Sequence, residues 1–191
     1  MRSFLKGVLA VALAAFFFGG CSMLPSTQRV APTGEGAAGL KKIAVLPFNN
    51  LSGRKDAGRI FTDTYVTEIF RSGRYRVEET GNILQFMIQE RIDTIGEMEL
   101  ERISILGKRL KADGVLVGAV EEFDDGRSGG GVPTVSVSAR LIDSATGRVV
   151  WSEQWRRRGD EYIIIFDIGA VRSVTALAQK VVREMIETIK W

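Results

Sequence analysis

Cysteine is the residue that most constrains how this 191-residue chain can fold, because it occurs only once, at Cys21. A single thiol cannot form a disulfide within the chain, so a domain built from this sequence has to rely on its hydrophobic core. The residues from Cys21 onward are numerous enough for one domain with a substantial core. We therefore expect one domain without covalent cross-links.

The segment before Cys21 has the three parts of a secretory signal peptide. Arg2 and Lys6 form a short basic start, residues 8–18 are an unbroken apolar run, and residues 19–20 are both glycine. The apolar run is too short to span a bilayer stably, which takes about 20 residues. The alternative is an N-terminal core helix that happens to carry a cysteine.

The junction at Cys21 resembles that of bacterial lipoproteins, with one departure, since Phe18 stands where these proteins usually have leucine. The resemblance implies that residues 1–20 are removed and that Cys21 carries a diacylglycerol and an amide-linked acyl chain such as palmitate. Two or more acyl chains anchor a protein stably where one does not. Ser22, which is not aspartate, implies an outer-membrane protein that faces the periplasm.

Residues 21–40 are predicted to form a lipidated, disordered tether, because they are rich in Gly, Ala and Pro and have no period. A flexible segment of this length has a typical end-to-end distance of about 25 Å. The remaining residues, 41–191, are predicted to form the periplasmic domain.

The composition argues against most enzymes. The chain has no histidine, which removes the commonest general base and the commonest metal ligand. Acylation of Cys21 would remove the remaining thiol, and we predict no cofactor and no metal. The acidic pairs at residues 121–122 and 124–125 are left as candidates for binding a cation or for acid–base chemistry, with a solvated loop as the favoured alternative.

The charge pattern does not predict a nucleic-acid partner. Without Arg2 and Lys6, the 26 basic residues become 24 against 23 acidic ones, and the two signs are interspersed. The basic cluster Arg156, Arg157 and Arg158 either touches anionic lipid or an acidic partner, or is a solvated strand end. On either view, changing all three to Ser should leave the fold intact, and loss of association would identify them as the contact surface.

Hydrophobic periodicity predicts an α/β (mixed α+β) domain. Strands are predicted at residues 43–48, 75–78, 115–120, 135–141 and 149–155. Helices are predicted at residues 56–71, from Thr80 onward, at 100–110, and along the apolar stripe from Ile168 to Ile189. Residues 49–53 are predicted as a turn. The order β-α-β-α-α-β-β-β-α gives a mixed β-sheet of about five strands with helices packed on it.

Several stretches make this domain resemble the TolB N-terminal-like superfamily. Residues 43–53 (IAVLPFNNLSG) look like its opening, residues 106–120 like the entry to its next strand, and residues 138–153 like its closing hairpin. Residues 77–91 look like the matching stretch of the curli secretion-channel (CsgG) family. The superfamily also holds synthase activators of the LpoB type, so the resemblance implies the fold more specifically than the function.

The lengths of particular segments argue against two functions found in this superfamily, a membrane channel and an activator of an inner-membrane synthase. A membrane-spanning hairpin needs at least about 20 residues with apolar alternation. Residues 124–133 are Gly-rich and charged, and residues 156–168 hold one apolar patch, so this chain alone does not make a channel. The tether is short for reaching an inner-membrane synthase, which favours a partner near the outer membrane.

The sequence predicts a non-enzymatic lipoprotein that binds an unknown protein in envelope assembly, secretion or cell-wall synthesis. Two alternatives stay open, namely a homo-oligomeric ring that accompanies an outer-membrane secretion channel, and a carboxylate-dependent periplasmic hydrolase. Trp151 and Trp155 are either interface anchors or part of the core. The candidate partner-binding residues are Asn49, Asn50, Arg156, Arg157, Arg158, Ile163, Ile164, Ile165 and Phe166.

Overall fold

A computed structural model of the chain describes residues 37–92, 99–127, 131–165 and 168–190. The predicted order of elements is confirmed, with one added short strand. The strands are β1 (Lys42–Val45), β2 (Asn49–Asn50), β3 (Arg76–Val77), β4 (Gly114–Asp124), β5 (Thr134–Asp143) and β6 (Val149–Arg158). The helices are α1 (Ala57–Ser72), α2 (Thr80–Gln89), α3 (Leu100–Arg109) and α4 (Val174–Glu187), and a 3₁₀ turn (Gly159–Tyr162) follows β6.

The strands form one mixed sheet in the order β3-β1-β4-β5-β6. Strand β1 runs parallel to β3 and β4, whereas β5 is antiparallel to both of its neighbours, β4 and β6. The added strand β2 corrects the predicted turn, because Asn49 and Asn50 pair with β4 opposite Ala119 and Val120. Pro47 has no N–H to donate and interrupts the strand, after which the chain resumes pairing with β4.

Helices α1 and α4 pack on one face of the sheet and enclose the larger core. Phe48 stacks on Tyr65 of α1 at 4.9 Å between ring centroids, and the Tyr65 hydroxyl lies 3.2 Å from the Met185 sulfur of α4. Trp151 and Trp155 are 3% and 5% exposed and belong to this core. Of the two interpretations of these tryptophans, the structure selects the core.

Helices α2 and α3 cover only part of the opposite face. A second, smaller core lies beneath them, formed by Ala44, Leu46, Ile83, Ile103, Leu106, Ala112, Val115, Val117 and Ile142. Gly107 lets α3 approach closely, since a Cβ atom there would overlap the Ser144 hydroxyl oxygen. On this face, no described helix covers β4, β5 and β6 beyond the second core, towards the ends of these strands at Asp124, Thr134 and Arg158.

The final helix is shorter than predicted. It begins at Val174, where the Ser173 hydroxyl accepts a hydrogen bond from the Ala176 N–H at 3.4 Å. Ile168 is exposed and lies outside the helix, because backbone bonds within the preceding segment hold it in another conformation. The predicted stripe within the helix is confirmed, since its members are buried: Val174, Leu177, Val181 and Met185.

The folded domain also reaches into the predicted tether. Ala37 is buried, and its N–H donates to the carbonyl of Lys190 at 2.8 Å. Residues 21–36 of the predicted tether and the predicted signal segment lie outside the described residues. Among the helices that the structure describes, none is long and apolar enough to cross a membrane.

Candidate functional site

The predicted site residues fall into three groups, and two of the residues lie outside the described part of the chain. These two are Cys21 and Phe166, so acylation of Cys21 stays a prediction. The other candidates lie at the end of the sheet towards which β1, β4 and β6 run. By strand spacing, β2 and β6 are about 15 Å apart, which keeps their side chains from forming one site.

Asn50 is occupied by its own loop. Its side-chain amide donates to the carbonyl of Arg54 at 2.6 Å, and its side-chain oxygen accepts from the Ser52 N–H at 3.2 Å and the Ser52 hydroxyl at 2.8 Å. These bonds are typical of a residue that shapes a turn. Asn50 therefore has little hydrogen-bonding capacity left for a partner.

Asn49 lines a shallow cleft of about 300 Å³ on the uncovered part of the sheet. We call this surface the open sheet face, formed by Asn49, Ala119, Glu121, Ser138, Arg140, Ser152 and Gln154. Glu121 accepts hydrogen bonds from the Ser138 hydroxyl at 2.6 Å and the Ser136 hydroxyl at 3.1 Å. The surface offers polar side chains of both short and long residues, which suits contact with a polar segment of another molecule.

The three arginines do not form a single basic surface. Successive strand residues point to opposite faces of a sheet, so Arg156 and Arg158 lie on one face and Arg157 on the other. Arg156 donates to Glu122 at 2.8 and 3.2 Å, and Arg158 donates to Asp160 at 3.2 and 3.0 Å. The Arg158 hydrogen bond holds the pKa of Asp160 below its usual value.

Arg157 is part of the core boundary. Its side chain is only 16% exposed, its guanidinium lies 4.4 Å from the centre of the Trp155 ring, and Glu161 lies 3.8 Å away. Each of the three arginines thus has a carboxylate neighbour. The three arginines therefore do not form a contact surface together.

The four described isoleucines after Tyr162 are all exposed, and we call them the isoleucine hairpin (Ile163, Ile164, Ile165 and Ile168). Ile164 N–H donates to the Ile168 carbonyl at 2.8 Å, and Ile168 N–H donates to the Ile165 carbonyl at 2.9 Å. Their exposed fractions run from 40% at Ile163 to 78% at Ile164. Gly169 closes the hairpin with a φ of 95°, a conformation that favours glycine.

Tyr162 anchors the hairpin to α4. Its hydroxyl donates to Glu184 at 3.0 Å, and the Lys180 ammonium lies 4.4 Å from the ring centre. Burial of the ring, followed by the nearby Glu184 carboxylate, raises the pKa of Tyr162 above its ordinary value. The hairpin is therefore held in place by packed and hydrogen-bonded neighbours while its apolar side chains point outward.

Each carboxylate near β4 has hydrogen-bonding or ion-pair partners of its own. Glu121 is held by serines and Glu122 by Arg156, while Asp124 accepts the Gly126 N–H at 3.0 Å. Asp125 accepts the Arg127 N–H at 3.1 Å and pairs with Arg54 at 3.3 Å, and these interactions lower its pKa, the N–H bond most strongly. The described residues contain no group of three or more acidic, histidine or cysteine side chains that could hold a metal ion.

Sequence reasoning did not identify the open sheet face. A usable signal was present, since the polar residues Ser136, Ser138 and Arg140 of β5 alternate with apolar ones, as do Ser152 and Gln154 of β6. Two polar alternations in neighbouring strands indicate a sheet face that is open to solvent.

No protein-family model matches the sequence, and no curated protein matches it.

Solved structures with the same fold do exist. A PelC dodecamer from Paraburkholderia phytofirmans has a TM-score of 0.59 and 20% identity, and the match covers 87% of this chain and 99% of that one. Lipoprotein GNA1162 from Neisseria meningitidis has a TM-score of 0.53 and 22% identity, with 78% and 99% covered. The LpoB C-terminal domain from Salmonella enterica has a TM-score of 0.51 and 14% identity, with 65% and 87% covered.

At these identities the likeness establishes the fold. The predicted resemblance to LpoB-type proteins is confirmed at that level. The finer resemblances to the TolB N-terminal-like and curli secretion-channel families stay predictions.

Proposed function

We propose that this protein is a lipoprotein of the outer membrane whose periplasmic domain binds another envelope protein and does not act as an enzyme. The observation that carries this proposal is the isoleucine hairpin. Four large apolar side chains, each at least 40% exposed, are concentrated on one short hairpin whose backbone is hydrogen-bonded, and a local concentration of exposed apolar side chains is typical of a protein-binding site.

The position of the hairpin supports a protein partner. Strand β6 has 10 residues, and at about 3.3 Å per residue it separates its two ends by about 30 Å. The chain from Cys21 enters at Ala37, at the end where β6 begins, whereas the hairpin follows the end of β6. An anchor at Cys21 would therefore leave the hairpin facing away from the membrane, where periplasmic proteins can reach it.

The fold and the chemistry of the chain agree with this interpretation. The LpoB C-terminal domain and the lipoprotein GNA1162 share the fold, and the resemblances to the TolB N-terminal-like and curli secretion-channel families point to the same envelope setting. The hydrolase alternative lacks support, because the chain has no histidine and its acidic pairs are engaged by separate partners.

A ring-forming accessory subunit is the second candidate function. The PelC structure, whose TM-score is 0.59, is a dodecamer. Strand β6 is an edge of the described sheet, and an unpaired edge is a surface on which a second chain can pair. In this case the hairpin would contact a second copy.

Photocrosslinking in cells tests the proposal and separates the two candidates. A photoreactive amino acid replaces Ile164, and in a matched control it replaces Ile88, an equally exposed isoleucine of α2. We expect Ile164 to give one heavier adduct with another protein and Ile88 to give none. An adduct of twice the chain's own mass would favour the ring. No adduct at Ile164, or equal adducts at both positions, would contradict a binding role for the hairpin.

A further inference from the structure

We propose that the end of the domain where the tether joins is a docking surface for an anionic lipid bilayer. We call this surface the basic end, formed by Lys41, Lys108, Lys111, Arg148 and Lys190. These five residues come from four distant parts of the sequence, and the backbone bonds and the cleft place those parts near the starts of β1 and β4 and the end of β5. This inference rests on the proposed function, because the lipid anchor determines where the membrane lies. The contacts that we propose are made by the basic end and not by the anchor.

The basic end is the part of the described domain that lies nearest to the anchor along the chain. Ala37 is bonded to Lys190, and the Asp113 carboxylate accepts the N–H groups of Lys41 and Lys42 at 2.9 Å each. Positions 21 and 37 are 16 residues apart, a length that typically spans about 22 Å and at most about 55 Å. An acylated Cys21 would therefore hold this end close to the membrane surface.

The five cations of the basic end have no carboxylate partner among the described residues. All five are exposed, and the ion pairs among the described residues are formed by other cations. At the opposite end of the sheet, by contrast, Arg156, Arg157 and Arg158 are each paired with an acid. The positive charge of the basic end is thus available to a partner, whereas that of the arginine cluster is neutralised.

The carboxylates at this end are committed to the backbone. Asp113 accepts the two N–H groups already described, and Asp143 accepts the Thr146 N–H at 2.8 Å and the Thr146 hydroxyl at 3.0 Å. These bonds shape the loops, and neither carboxylate forms an ion pair with a lysine of the basic end. Five cations against these two acids give the surface a net positive charge, which an anionic membrane attracts.

A cleft opens at the basic end beside two of its lysines. It has a volume of about 610 Å³, and its lining includes Lys108 and Lys111 together with the acids Asp113 and Asp143, both of which accept backbone N–H groups. Lys111 adopts a φ of 51° just after α3, in the left-handed region where glycine is the usual residue. A lysine at such a position costs backbone strain, and Lys111 is one of the residues that line the cleft.

Hydrogen exchange on vesicles tests this proposal with the mature acylated protein. The protein is reconstituted on vesicles of phosphatidylcholine alone or with about 30% phosphatidylglycerol, a composition that supplies a negative surface potential. We expect amides of residues 108–113 and 143–148 to exchange at least about five-fold more slowly on the anionic vesicles. High salt should remove the difference, since it screens exposed charges.

Matched variants show whether the named lysines are responsible. Lys108→Gln with Lys111→Gln should abolish the slowing, whereas Lys55→Gln with Arg102→Gln removes the same charge elsewhere and should preserve it. The proposal would be overturned if exchange were still slowed in the Lys108/Lys111 double variant, or if the slowing were lost equally in both double variants. Identical exchange on the two kinds of vesicle would also overturn it. Slowing that appears without vesicles as the protein concentration rises would indicate a second copy and would overturn it as well.

The same experiment separates this inference from the lipid anchor. If the protein binds neutral vesicles but its exchange is not slowed on anionic ones, the lipid anchor is supported and the docking role of the basic end is refuted. Protein that fails to bind neutral vesicles refutes the anchor, and slowing on anionic vesicles would then still support the basic end.

Discussion

Glu78 is buried beside β3, and its carboxylate has three partners. It forms an ion pair with Lys42 of β1 and accepts hydrogen bonds from the Asn82 amide at 2.8 Å and the Glu79 N–H at 3.0 Å. Burial opposes ionisation of this carboxyl, but these bonds together outweigh it, so the pKa of Glu78 lies below its ordinary value of 4.5. The ion pair therefore stabilises the attachment of β3 to β1.

The lowered pKa predicts a pH-dependent contribution. A carboxyl whose pKa is lower in the folded state stabilises the protein above its unfolded pKa, and this stabilisation is lost as the pH falls through the folded pKa. Glu78→Gln should lower the free energy of unfolding by about 1 to 3 kcal/mol at pH 7. Urea denaturation should show the gap to wild type shrinking below about pH 4.

The exposed neighbour Glu79 provides the control for this experiment, and Glu79→Gln should have little effect at either pH. A gap between Glu78→Gln and wild type that stays constant from about pH 7 to about pH 3.5 would show that the carboxylate charge is not what stabilises the site.

Val181 faces the sheet from α4 and is fully buried. Val181→Asp would place an unpaired charge in the larger core, so we expect a loss of several kcal/mol and an unfolded domain. Gln179→Asp, at an exposed position of the same helix, should change stability by no more than about 0.5 kcal/mol. Circular dichroism during urea denaturation compares them, and similar stability of the two variants would show that α4 does not pack as described.

At the scale of elements, β6 combines two different environments along one strand. Trp151 and Trp155 point into the core under α4, while Ser152 and Gln154 point to the open sheet face. The Trp151 ring N–H donates to the Thr188 hydroxyl at 3.1 Å, which fixes the end of α4 to the strand. This alternation explains why an edge strand contributes both to the core and to an exposed surface.

The three arginines at the end of β6 should differ in their effect on stability. Sequence reasoning predicts that all three tolerate Ser, but Arg157 covers the Trp155 ring and is largely buried. We expect Arg157→Ser to cost about 1 to 2 kcal/mol through lost packing and cation–π contact. Arg156→Ser breaks an exposed pair and should cost no more than about 1 kcal/mol. Equal unfolding free energies in urea would show that the Arg157 contact is not stabilising.

At the scale of the whole molecule, the domain has two distinct ends. The isoleucine hairpin lies at one end of the sheet and the basic end at the other, about 30 Å apart along β6. The arrangement suits a protein that is held at a membrane by one end and presents the other to a partner. Without the basic residues of the predicted signal segment the net charge of the chain is small, so the proposed orientation at a membrane would depend on where the charges lie.

The membrane attachment itself should depend on one residue. Cys21→Ser should abolish incorporation of labelled fatty acid and release the protein from outer-membrane fractions, because the acyl chains have no other predicted site. Ser22→Ala, which keeps the cysteine, should retain the label. Labelled fatty acid in the Cys21→Ser variant would contradict the predicted lipidation site.

Much of the fold could be predicted because it depends on local patterns. The alternation from Val135 to Leu141 determined the hairpin faces, and the helical spacing through Leu177 and Val181 determined the buried side of α4. Both periods are properties of a single element, so they can be read without knowledge of its neighbours. The start of α4 was predicted too early, because Ile168 continues the spacing while backbone bonds hold it in a hairpin.

Proximity between distant residues was decided only by the tertiary structure. The partners of Arg156 and Arg158, the pairing of Asn49 with Ala119, and the extent of the open sheet face all depend on how strands and helices are arranged. The basic end is the clearest case, because Lys41, Lys108 and Lys190 are far apart in sequence and meet only when the strand ends come together. Sequence periodicity determines which way a side chain faces, whereas the packing of whole elements determines which side chains become neighbours.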